Sequence, residues 1–135
     1  MKKYIDWSIV YAILALAGGV FFREFTKFNG FEGATALGVV HTHWLVLGMA
    51  FFLLLFAIDR VLGGVDTGKV LIGYHVGLNL AVIMLLVRGV LQVLGTALPS
   101  GADAAISGIA GIGHIILGVS LVMVLLKIRK AAAAK

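Results

Sequence analysis

Four histidines, His41, His43, His75 and His114, stand inside otherwise apolar runs, in company with Thr42, Asn79, Arg88 and Gln92. Ionisable groups in a membrane segment cost roughly a few kcal/mol each by insertion scales, so they are read first as candidates for function. Imidazole in such a setting has one main chemistry, the ligation of iron, copper or zinc through a ring nitrogen. The chain has no cysteine, which excludes thiolate ligands, disulfides and cysteine nucleophiles. It also offers no nucleophile with a base and an orienting group, no phosphate loop following a strand and no paired carboxylates within an apolar run. Hydrolases and nucleotide-driven pumps are thereby disfavoured.

Depth decides which histidines can meet. With a helical rise of about 1.5 Å per residue, His43, eleven residues after Glu32, and His114, eleven after Asp103, lie level. His41 sits roughly 3 Å nearer the same surface, and points about 200° away from His43 around the helix, so the two cannot grip one small ion. His75 enters from the opposite face, six residues after Lys69. That places it roughly 10 to 15 Å from the others and outside their coordination shell.

A level pair on separate helices suits the axial positions of a heme b, with His43 and His114 as ligands and His41 as the substitute. Gly113, beside His114, would leave room for a flat macrocycle, although small residues such as Gly73 and Gly77 equally serve close helix packing. Arg88 lacks a carboxylate within any span; heme propionates would supply one, and snorkelling to the outer surface is the equal alternative. A short repeat, Gly38-x-x-His41 and Gly111-x-x-His114, hints that the second and fourth spans share a centre. The competing reading is a copper or zinc site or transporter using His41 or His43 with His114, His75 being a further candidate metal ligand. A third is a structural or assembly subunit whose histidines merely join helices.

The elements that must position these residues follow from composition. Of 135 residues, 61% are apolar and 13% charged, and mean hydropathy is +1.12, so the solvent of most side chains is lipid. Apolar runs long enough for about 30 Å of hydrocarbon fall near 4–22, 34–58, 70–94 and 104–126. Short links make neighbours antiparallel, giving an all-α, four-helix transmembrane bundle running up-down-up-down as a single domain. The first run lacks a small-residue cleavage site before Arg23 and is read as a helix, not a signal peptide.

Lys2, Lys3, Arg60, Lys69, Lys127, Arg129, Lys130 and Lys135 lie on one side and Arg23 and Lys27 on the other, which predicts that both termini are cytoplasmic. The net charge of +5 is therefore topological and implies no nucleic-acid partner. Trp7 and Tyr4 are expected in an interfacial aromatic belt. The stretch from Lys130 to Lys135 is expected to be a frayed helix end. Expected partners are the bilayer, a second copy in a homo-oligomer, and a redox partner.

The segment Gly38-Val-Val-His41-Thr-His43-Trp-Leu-Val-Leu-Gly48 resembles a small, uncharacterised family of bacterial four-helix membrane proteins, with similarity over nearly the whole chain. That resemblance implies an inner-membrane location and brings no activity. More distantly, the stretch is similar to the His-x-His helix of heme–copper oxidase catalytic subunits and NnrS-type heme proteins, in which the two histidines face different hemes. By that likeness His41 and His43 would be iron ligands, or a ligand and its neighbour. Four spans, no histidines for a copper centre and no cross-linked tyrosine pattern depart from an oxygen-reducing enzyme.

Overall fold

The computed structural model of the protein describes residues 2–134. Four helices are long and apolar enough to cross a membrane: α1 (Lys2–Phe28), α2 (Leu37–Leu62), α3 (Val70–Val93) and α4 (Ser100–Ala133). No strand occurs among the described residues. The helices overrun the apolar runs that announce them. α1 continues through Arg23 and Lys27, and α4 carries Lys130 to Ala133 as ordered helix, where the sequence suggested fraying. Lys135, counted above among the inner cations, lies outside the described residues.

The termini and the α2–α3 loop share one end of the bundle. The Tyr4 hydroxyl pairs with Thr67 Oγ1 at 2.9 Å, and Lys127 approaches Asp66 at 3.9 Å. Tyr4 is therefore buried as a link between α1 and the loop, not displayed in an aromatic belt. At the other end Thr35 Oγ1 donates to the Gly89 carbonyl at 3.0 Å, and the Ala36 amide donates to Gln92 Oε1 at 2.8 Å. The second bond satisfies one of the amides that a helix start leaves open, which hydrocarbon would otherwise punish.

The core mixes aliphatic side chains such as Leu37, Leu55, Leu78 and Val124 with aromatic and polar ones. Tyr4, Tyr11, Phe52 and Tyr74 are buried along with the polar Ser8, Asp59, Thr67 and Ser120, whereas Ile13, Leu16, Val20, Leu54 and Ile115 are exposed. Aliphatic side chains face outward because lipid is as apolar as they are, so association rests on close packing and hydrogen bonds. Glycines supply the closeness. A Cβ on Gly77 would collide with the Leu117 backbone, one on Gly113 would stand 2.8 Å from the Ala81 nitrogen, and one on Gly48 would stand 2.5 Å from the Tyr11 ring. α3 thus packs along α4, and α1 along α2.

α2 is not uniform. Residues Trp44–Ala50, immediately after His43, form a π-helical segment. Widening the turn strands carbonyls that a regular helix would pair. Two carbonyls of the segment take side-chain donors from neighbouring helices: Ser8 Oγ donates to the Met49 carbonyl at 2.9 Å and the Tyr74 hydroxyl to the Leu47 carbonyl at 2.8 Å. The segment also separates the register of the N-terminal, histidine-bearing part of α2 from that of its C-terminal part.

Candidate cofactor site

α2 and α4 bring His43 and His114 ring to ring, with centroids 6.1 Å apart and planes at 88°. Their Nδ1 atoms have the same environment. His43 Nδ1 lies 2.7 Å from the Val39 carbonyl and His114 Nδ1 2.7 Å from the Ala110 carbonyl, each one turn back on its own helix. A carbonyl can only accept, so each Nδ1 carries a proton, and in the neutral tautomer this leaves the lone pair at Nε2. Metal-ligating histidines are oriented in this way by a partner on the other nitrogen. If both Nε2 atoms aim at one point between the rings, two nitrogen–metal bonds of about 2.0–2.1 Å, with about 1.1 Å from each nitrogen to its ring centre, would sum to about 6.3 Å, against a centroid separation of 6.1 Å.

His41 takes no part in the pair. It turns toward α1, where a Cβ on Gly19 would lie 3.7 Å from its own Cβ, and its Nδ1 is buried with no hydrogen-bond partner. The opposed directions expected of residues two apart on a helix are realised, and the Gly-x-x-His repeat does not map onto the pair: α4 contributes His114, but α2 contributes His43. Gly113 belongs to the α3–α4 contact at Ala81, which accounts for its missing side chain without a macrocycle; on the same helix Gly111 and Gly118 have open space where a Cβ would be.

Arg88 has a carboxylate after all. Its guanidinium pairs with Asp103 Oδ1 at 3.1 Å and donates to Ser107 Oγ at 2.7 Å. The sequence view missed this because Asp103 was placed in a loop; it sits in the first turn of α4, where an acidic residue also favours the helix dipole. Ser107 is seven residues, about 10 Å, outward of His114. The hollow beside His43, lined also by Thr42, Val46 and Leu47, is about 260 Å³, and His114 does not line it. A large planar group between the rings would therefore extend toward lipid. Among the described residues no group of three or more histidine, aspartate or glutamate side chains is placed to hold a bare metal ion.

His75 occupies a different site, across α1, α2 and α3. Its ring is held between Trp7, at 4.2 Å between centroids, and Phe52, stacked at 4.8 Å. Its Nδ1 meets the Tyr11 hydroxyl at 2.7 Å. Asn79 fixes the direction of that bond. Its Oδ1 accepts the Trp44 indole N–H at 3.3 Å, so its Nδ2 must be the atom that donates to the His75 carbonyl at 2.8 Å and to the Tyr11 oxygen at 2.9 Å. Asn79 Nδ2 is a donor and offers the Tyr11 hydroxyl hydrogen no acceptor, which leaves His75 Nδ1 to receive it. The His75 proton then resides on Nε2, the reverse of His43 and His114. This tautomer is a donor rather than a ligand, which argues against His75 binding metal.

Tyr11 and Trp7 are the functional candidates that sequence reasoning passed over, Trp7 having been taken as an interfacial anchor. The signal was available in the spacing Tyr4, Ser8, Tyr11, Ala15, Gly18, an a/d-type stripe that is the buried face of α1.

The chain belongs to a family described as a protein of unknown function, DUF2871, whose model matches residues 1–131. No curated protein and no solved structure matches it. The expected membership of a small uncharacterised family is met, and nothing in these comparisons supports the more distant likeness to heme–copper oxidases or NnrS-type proteins.

Proposed function

We propose that the chain is an integral membrane heme b protein of the bacterial inner membrane, serving electron transfer or the binding of oxygen or nitric oxide. One observation carries this reading: two imidazoles from different helices stand with ring centroids 6.1 Å apart, each turned by an Nδ1–carbonyl bond that leaves Nε2 as the lone pair, and among the described residues no third protein ligand is grouped with them. A bare zinc or copper ion wants three or four protein ligands. A porphyrin brings four nitrogens of its own and needs only the axial two. His43 and His114 would hold the iron, and the iron would supply one-electron chemistry or a position for a gas molecule. The Nδ1–carbonyl bonds keep both rings turned and raise their basicity as ligands. Arg88, already paired with Asp103, would act on a propionate only as a shared partner.

The test is purification after expression with added heme precursor, followed by absorption spectroscopy and metal analysis. A Soret band with stoichiometric iron supports the proposal. Colourless protein holding copper or zinc would support the metal-site reading instead, and colourless, metal-free protein would leave an assembly subunit.

A further inference from the structure

We propose that His75 and Trp7 form a binding site for the head group of a membrane quinone, in the half of the bilayer opposite to the His43–His114 pair. His75 is constrained on every side but one. Phe52 stacks on its ring, Trp7 packs against it at a tilt and the Tyr11 hydroxyl holds Nδ1, while Nε2 has no hydrogen-bond partner among the described residues and is not closed off from the surface. The Tyr11–Asn79–Trp44 chain fixes the proton on that exposed nitrogen.

An N–H facing hydrocarbon without an acceptor is costly, on the order of a few kcal/mol. α3 begins at Val70, so His75 lies about 7 to 8 Å along the helix from its start, inside the apolar span rather than at the loop. The surroundings are apolar and aromatic: Trp7 is 41% exposed, and Val10, Ile72 and Val76 also present side chains to the lipid. The occupant this chemistry selects is a lipid-soluble molecule with a flat ring and a carbonyl acceptor. A quinone has both; a phospholipid ester has the carbonyl without the ring. Trp7 supplies the stacking face, and the His75 Nε2–H donates to the quinone oxygen. Iron at the other site is not required, so the two proposals fail independently.

The experiment uses full-length protein without added heme, labelled with ¹⁵N-histidine, in nanodiscs of diether phospholipid, which has no ester carbonyl. Titration with a short-chain benzoquinone is expected to shift the His75 Nε2–H resonance saturably and to quench tryptophan fluorescence saturably. His75→Phe keeps a ring between Trp7 and Phe52 but no donor, and Trp7→Leu keeps the donor but no stacking face; each is expected to weaken quinone binding at least tenfold. An Nε2–H resonance indifferent to the quinone, or equal affinity in wild type and both variants, overturns the proposal. So does a resonance that moves on changing from diether to diester lipid and no further with quinone, since the occupant is then a lipid ester.

Discussion

His43 and His114 on one side and His75 on the other are the same residue type on the same kind of helix, and they present opposite chemistry. At the outer pair Nδ1 faces a backbone carbonyl one turn back, so Nε2 is a lone pair. At His75 Nδ1 faces a tyrosine hydroxyl whose hydrogen Asn79 Nδ2, itself a donor, cannot accept, so Nε2 is a donor. What decides the matter is the partner at the far nitrogen, not burial or depth. His41 is the third case, with a buried Nδ1 that nothing engages and therefore no fixed tautomer.

The comparison is broken most directly at the outer pair. His43→Ala or His114→Ala is expected to abolish the low-spin heme spectrum and to lower heme retention by more than tenfold, read as the ratio of Soret to protein absorbance. His41→Ala and His75→Phe are expected to leave the spectrum intact. Loss of heme in His41→Ala with retention in His43→Ala would exchange the ligands.

A second contrast lies within α4. Gly113→Val would drive a side chain into the Ala81 backbone and is expected to destabilise the bundle by about 3 kcal/mol or more, because overpacking against backbone has little room to relax. Gly111→Ala, where a Cβ meets nothing within 4 Å, is expected to change stability by less than about 0.5 kcal/mol. Unfolding of the detergent-solubilised protein measures both. Equal effects would mean that α4 does not pack on α3 as described.

Tyr11→Phe sharpens the inner half of the comparison. It removes the hydroxyl that links His75 to Asn79, with an expected stability loss of about 1–3 kcal/mol, since a buried amide loses its acceptor. It should also free the His75 tautomer, seen as a ¹⁵N shift pattern moving toward exchange between the two ring nitrogens, with the heme spectrum unmoved. The smallest effect is expected at Arg88→Gln. The Arg88–Asp103 pair is partly exposed, and its loss should cost no more than about 1 kcal/mol.

The four spans and their antiparallel order were legible because about 20 consecutive apolar residues have few other uses. So was the pairing of His43 with His114, although the count of eleven residues was helical throughout only from Asp103, inside α4; Glu32 precedes α2, which begins at Leu37. Less legible was everything that depends on direction around a helix once α2 departs from regular geometry. The π-helical segment at Trp44–Ala50 carries no proline, and only Gly48, under the Tyr11 ring, marks it. Arg88 was left without a carboxylate because helix ends were drawn at the ends of apolar runs, and α4 starts four residues earlier than the predicted 104 at Ser100. Tyr11 was hidden because a tyrosine in an apolar run counts as apolar until its hydroxyl finds a partner.

The measurement that bears most directly on the central claim is the absorption spectrum of the purified full-length protein, oxidised and dithionite-reduced, after expression with added heme precursor. The account predicts a low-spin, bis-histidine heme b spectrum, with a Soret band that shifts on reduction and sharp α and β bands, present in wild type and His75→Phe and absent from His43→Ala and His114→Ala. A protein that is folded and colourless under these conditions, or a heme spectrum unchanged by both outer substitutions, would contradict it.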